Sequence, residues 1–255
     1  MIDENIGKKV FFIYPHSVIQ EKLINVIVDN EYEVYMVYDH NKIDTINRIY
    51  RDSIVFINID EGIPETEWEK IIRSFSEDTP KNNLSFGILT YNENQSLAQK
   101  YLMDIMVSSG FIRLKLGLKE SIKIILKTLE ANEAKGQRKY VRARPQKEDA
   151  SFNFKNEDGK LIFGHINDIS SVGMAITFDN EITIKKNSLL KAIQINLKGT
   201  LIKVNGVVIG SRKVGESKTI YVLIFDSSTS KEVKQKLRLY IHKLLQDDVN
   251  LVLKR

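Results

Sequence analysis

The chain has 255 residues, of which 42% are hydrophobic and 28% charged. That is enough for two ordinary domains or one large one, in a globular rather than a disordered composition. The absence of cysteine and the presence of four scattered histidines exclude disulfides, thiol catalysis and cysteine-ligated metals, so no metal is expected. A polar start and the lack of any run of roughly 18 apolar residues point to a cytoplasmic protein without membrane insertion.

The net charge of +5 divides unevenly. Residues 1–130 carry 15 Lys and Arg against 20 Asp and Glu, a net −5, whereas residues 131–255 carry 23 against 13, a net +10. The second part therefore attracts anions, although charge alone does not distinguish nucleic acid, nucleotide and membrane surface.

In the first half strand-like and helix-like segments alternate. Val10 to Tyr14 is a short apolar run. Ser17 and Gln20 then form a capping-box pattern before a helix with the apolar face Ile19, Leu23, Ile24, Ile27 and Val28. Glu33 to Tyr38 predicts a strand, Lys42 to Tyr50 a polar helix and Ser53 to Ile59 a buried strand, followed by a helix containing Trp68, Ile71, Ile72 and Phe75. Leu84 to Thr90, a helix from Asn94 to Val107, the strand Phe111 to Leu116 and a helix carrying Leu118, Ile122, Ile125, Leu126 and Leu129 complete the series. Such alternation predicts a doubly wound, five-strand parallel sheet covered on both faces.

After a charged stretch from Glu130 to Arg144 the rhythm changes. Strand-like runs cover 150–154, 161–169, 173–178, 189–197, 199–211 and 219–225, separated by turn signals such as Glu157-Asp158-Gly159. This predicts a small antiparallel barrel of six strands. Thr229 and Glu232 announce a last helix, whose stripe of Val233, Leu237, Ile241, Leu244 and Leu245 packs on the barrel in the simpler reading and binds a partner in the other. The expected organisation is an α/β domain over 1–131, a charged linker over 132–145 and an all-β barrel with its C-terminal helix over 146–255.

Two short segments carry chemistry. Gln137-Arg138-Lys139-Tyr140-Val141-Arg142-Ala143-Arg144-Pro145 lies at the joint. If it is extended, Arg138 and Arg142 project to one side and can reach one ligand. A guanidinium can fork onto a phosphate, bind guanine O6 and N7, or stack on a purine. Taken alone the segment also reads as a solvated basic linker. In Asp168-Ile169-Ser170-Ser171-Val172-Gly173, Gly173 supplies a positive φ or a close backbone approach, and Asp168 and Ser170 hydrogen-bond either the turn or a base edge. Taken alone this is also a well-made hairpin turn.

Together, Arg-x-x-x-Arg before a small barrel and Asp-x-Ser-x-x-Gly at an early strand turn resemble the PilZ domain, the bacterial receptor for cyclic di-GMP, over roughly Gly136 to Gln246. The resemblance implies that Arg138 and Arg142 grip the guanines and phosphates. It implies further that Asp168 and Ser170 contact a guanine edge, that Gly173 keeps the surface open and that Arg144 is an auxiliary phosphate contact. Gln137 takes the family position that influences whether one ligand or an intercalated pair is bound.

The first half resembles response-regulator receiver domains. Asp60 and Pro64 match the phosphoacceptor turn, while Thr90 and Lys115 stand where receivers place their switch hydroxyl and lysine. The acidic pair after the first strand is replaced by Tyr14-Pro15-His16. One remaining carboxylate is a poor cage for magnesium, so a fold kept for contact with a protein partner, without phosphorylation, is expected.

The resulting expectation is a non-enzymatic cyclic di-GMP effector that converts binding into altered interdomain geometry, in processes such as motility or virulence. An enzyme would need a nucleophile elbow or a phosphate-loop glycine pattern, which the sequence lacks. The alternative is a nucleic-acid-binding, response-regulator-like protein using Lys231, Lys234, Lys236, Arg238 and Lys243 of the last helix. No known DNA-reading motif accompanies that cluster, and nucleic acid is not the expected partner.

Overall fold

A computed structural model describes residues 7–77, 84–114, 117–215 and 218–254, without the side chains of 17–21, 76, 77 and 118. The chain forms two compact units: Met1–Lys139 together with Gln246–Arg255, and Tyr140–Leu245.

The first unit holds a parallel sheet in the order β2-β1-β3-β4-β5. Its strands are β1 (Val10–Ile13), β2 (Val34–Val37), β3 (Ser53–Asn58), β4 (Leu84–Thr90) and β5 (Phe111–Arg113). Every residue of the central strands β1 and β3 is buried. That is why they read as unbroken apolar runs rather than alternating ones. The helices are α1 (Ser17–Asp29), α2 (Ile43–Ile49), α3 (Glu65–Glu77), α4 (Gln95–Gln99) and α5 (Leu118–Ala131). Leu23, Ile27 and Val28 of α1 and Ile125 and Leu129 of α5 lie in one core with Val10, Phe12 and Phe56. The side chains of the predicted capping pair Ser17 and Gln20, and those of Ile19 and Leu118, fall outside what is described.

Two elements differ from expectation. The helix predicted over 94–107 stops at Gln99 and continues as a π turn over Lys100–Asp104, where the Ile105 amide donates to the Lys100 carbonyl. The widened turn places Tyr101 in the core and Lys100 against Glu65 and Glu69 of α3. The fifth strand ends at Arg113, short of the predicted Leu116.

The second unit is built from β6 (Arg142–Ala143), β7 (Ala150–Lys155), β8 (Leu161–Ser170), β9 (Gly173–Phe178), β10 (Leu189–Leu197), β11 (Thr200–Val214) and β12 (Lys218–Phe225). The strands follow the order β6-β8-β7-β10-β11-β12-β9, and β9 pairs back onto β8. Six strands therefore close a barrel, with β6 an extra short strand alongside β8. Inward residues such as Phe152, Ile166, Ile176, Ile195, Val208 and Leu223 fill it.

Helix α6 (Lys231–Leu253) adds Leu237, Ile241 and Leu244 to the barrel core. Its cap is Ser230 rather than the predicted Thr229. The Ser230 hydroxyl accepts from the Val233 amide, whereas the Thr229 hydroxyl is buried without a hydrogen-bond partner among the described residues. The end of α6 belongs to the first unit. There the Gln246 carboxamide accepts from the Met36 amide (2.8 Å) and donates to the Met36 carbonyl (3.1 Å). It thus occupies both backbone groups of that residue on the edge strand β2.

Candidate functional site

The arginine segment and the turn segment meet across one strand pair. β6 runs antiparallel to the end of β8, with Arg142 opposite Ser170 and Ala143 opposite Ile169. Opposed residues share a face of the sheet. Ala143 and Ile169 are buried in the barrel core and Arg142 is exposed, so Arg142 stands on the outer face beside Ser170. No strand was predicted here, because two residues are too few to show a period.

Asp168 reaches the same face through a β-bulge. Ile166 pairs with Ile176 and Asp168 with Ala175, which leaves Asn167 as the extra residue. Ile166 and Ile169 are both buried although three residues apart, an arrangement that strict alternation forbids. The bulge resolves the conflict by putting Asn167 and Asp168 on the outer face in succession, Ile169 inside, and Ser170 on the face away from the barrel core, where it is nevertheless buried (5% exposed). Among the described residues, neither the Arg142 guanidinium nor the Asp168 carboxylate has a hydrogen-bond or ion-pair partner.

The turn is closed by Ser170, whose hydroxyl donates to the Gly173 carbonyl (3.1 Å) and accepts from the Val172 amide (3.4 Å). Of the two roles open to Gly173, the structure shows the close approach. Its φ is not positive, and a Cβ placed there would lie 2.3 Å from the Leu223 carbonyl oxygen of β12.

Arg144, exposed, follows β6 directly. Arg138 is also exposed and has interactions of its own, but it belongs to the first compact unit, and bends at Lys139 and Tyr140 replace the extended path expected across 138–142.

A cavity of about 800 Å³ opens at Pro145 and Asn167, the sequence neighbours of Arg144 and Asp168. Lys147, Lys213 and Lys218 line it from three separate segments, with His165 and Tyr221. The His165 Nε2 lies 3.0 Å from an Asp179 carboxylate oxygen, and its Nδ1 is buried without a hydrogen-bond partner among the described residues. The Tyr221 hydroxyl donates to the Ile182 carbonyl (2.7 Å). Sequence reasoning missed these residues. Single lysines and a histidine scattered over some 70 positions leave no local signal. The arrangement offers a guanidinium, a carboxylate acceptor and an ammonium-lined hollow, which suits a ligand bearing phosphates and a hydrogen-bonding base.

In the first unit, Asp60 follows β3 and both of its carboxylate oxygens are engaged. One accepts from the Thr90 hydroxyl and the other from the Tyr91 amide, each at 2.6 Å. Where an acidic pair would stand, Tyr14 adopts φ +49° and hydrogen-bonds His40 Nδ1 at 3.2 Å. Its ring fills the space that a Cβ on Gly62 would need. Lys115 lies outside the described residues. Among the described residues, no group of three or more His, Asp and Glu is placed to hold a metal ion, and no helix is long and apolar enough to cross a membrane.

Residues 136–243 match the family model of the PilZ domain, so the barrel and the arginine segment leading into it form a PilZ domain. No curated protein matches the chain. Among solved structures, the chain is similar to the PilZ domain with c-di-GMP of YcgR from Escherichia coli, at 18% identity and a TM-score of 0.41, covering 47% of this chain and 99% of that one. It is also similar to YcgR in complex with c-di-GMP from Escherichia coli, at 16% identity and a TM-score of 0.42, over 47% of this chain and 50% of that one. A third is the Bacillus subtilis inhibitor of motility MotI/DgrA, at 20% identity and a TM-score of 0.35, over 45% of this chain and 52% of that one. The chain thus spans about half the length of the latter two.

Proposed function

We propose that the protein is a cyclic di-GMP-binding effector whose PilZ barrel receives the second messenger and whose α/β unit passes the signal to a protein partner. The observation that carries this reading is the register of β6 on β8, which sets Arg142 beside Ser170 on the outer face that Asp168 also occupies. Arg142 grips a phosphate or a guanine Hoogsteen edge, for which a guanidinium fork has the right geometry. Asp168, an acceptor without a partner among the described residues, takes the guanine N–H groups. Arg138 supplies the second guanidinium and Arg144 an auxiliary phosphate contact. Ser170 holds the turn through its hydroxyl, and Gly173 allows β12 to approach it. No catalytic step is assigned to any of these groups.

Arg138 and Arg142 belong to different compact units. A ligand that orders the segment joining these units therefore couples occupancy to interdomain geometry.

Calorimetric titration of the full chain with cyclic di-GMP, with GTP and cyclic AMP as controls, tests the ligand. Saturable micromolar binding of cyclic di-GMP alone is expected, and equal binding of GTP refutes the assignment. Labels at the exposed Ser74 and Ser228 should change their distance distribution on adding ligand to the wild type but not to Arg142→Ala.

A further inference from the structure

The α/β unit carries a second cavity, of about 460 Å³, beside α5. Lys119, Lys123 and Lys127 line it at four-residue intervals, about 12 Å of helix from first to last, and Lys135 of the following turn adds a fourth ammonium. Glu130 is the one acidic residue among those lining it. This row of cations stands out in a segment, 1–130, whose net charge is −5. Lys123 approaches Glu120 only to 3.8 Å, and among the described residues Lys119 and Lys127 have no ion-pair partner. Between the lysines, Ile122 and Leu126 are half-exposed.

We propose that this face of α5 docks an acidic amphipathic helix of a protein partner. Carboxylates spaced four residues apart on such a helix meet the lysine row in step, and leucines between them meet Ile122 and Leu126. One observation favours a peptide over a nucleic acid. The aromatic ring at the cavity, Tyr32, is 7% exposed and lies under Lys135, whose Nζ is 5.0 Å from the ring centroid, so no aromatic face is open there for a base to stack on. The proposal does not depend on the reading of the barrel, since every residue it uses lies in the other compact unit.

The test uses the full chain and a labelled helical peptide of about 16 residues with Glu at every fourth position and Leu between, followed by fluorescence anisotropy. Binding should weaken at least tenfold in Lys119→Glu/Lys127→Glu and in the milder Lys119→Gln/Lys127→Gln, and should stay at the wild-type value in Lys186→Glu, a charge reversal on the other unit. Circular dichroism should show the variants folded as the wild type, both lysines being exposed. No binding by the wild type, or equal binding by the α5 variants, overturns the proposal. So does a single-stranded oligonucleotide of equal charge that binds as tightly and is lost in the same variants, because the face is then a general polyanion site.

Discussion

Arg142 and Ser170 are direct cross-strand partners, 28 positions apart in sequence and opposite one another where β6 meets β8. Each comes from a different motif, and their register brings two ordinary segments together as one candidate site. Because Arg142 is exposed and stands at the edge of the sheet, Arg142→Ala removes a contact without removing packing. Loss of one charge-assisted contact is expected to weaken cyclic di-GMP binding by about ten- to hundredfold, some 1.5–3 kcal/mol. Titration calorimetry gives the affinity, and an unchanged thermal transition shows that the barrel is intact.

Gly173→Ala should act differently. The added methyl meets a backbone carbonyl at 2.3 Å, and neither β9 nor β12 can yield without disturbing the closed barrel. A loss of about 1–3 kcal/mol in denaturant unfolding is expected, accompanied by weaker ligand binding as the turn held by Ser170 shifts. Full stability in this variant would show that β12 can move away from the turn.

Asp60 is a hydrogen-bond acceptor for the loop after β4, and phosphorylation there is not expected. Both oxygens are engaged, and among the described residues no group of three or more His, Asp and Glu is placed to hold a metal ion. Acetyl phosphate or beryllofluoride with magnesium should leave the amide spectrum of the α/β unit unchanged. Asp60→Ala should cost about 1–3 kcal/mol, because the fully buried Thr90 loses its acceptor. A stoichiometric acyl phosphate at Asp60 refutes this account.

The α3 network gives the first unit a dependence on acid. Hydrogen bonds from Lys100 and then from Arg73 hold the Glu69 carboxyl below its ordinary value of about 4.5. A carboxylate whose folded pKa is depressed stabilises the fold above its unfolded pKa, and that contribution is lost as pH falls through the lower, folded value. Lys100→Met should therefore reduce stability by about 1 kcal/mol at neutral pH. It should also flatten the loss of stability below pH 4.5, which urea unfolding over a pH series would register.

Strands and helices were legible from the sequence wherever their period was. The buried parallel strands betrayed themselves as unbroken apolar runs, the barrel strands as strand-like runs between turn signals, and α6 by its stripe; 84–90, 173–178 and 189–197 coincide with β4, β9 and β10 residue for residue. Local chemistry, which depends only on near neighbours, also singled out the arginine segment and the Asp168 turn as candidates, and the pairing of β6 with β8 sets Arg142 opposite Ser170. What depends on backbone passing close to backbone was not legible. The bulge that brings Asp168 to the outer face exists because Ile166 and Ile169 must both be buried, and the need for glycine at 173 arises from a carbonyl on β12, 50 positions on. The lysines of the barrel cavity converge because closure of six strands brings distant segments together. The engagement of Asp60 by Thr90 and Tyr91 likewise follows from parallel pairing of β3 with β4. Sequence carries the identity and period of each segment, whereas register, closure and side-chain convergence are long-range consequences of packing that no single segment contains.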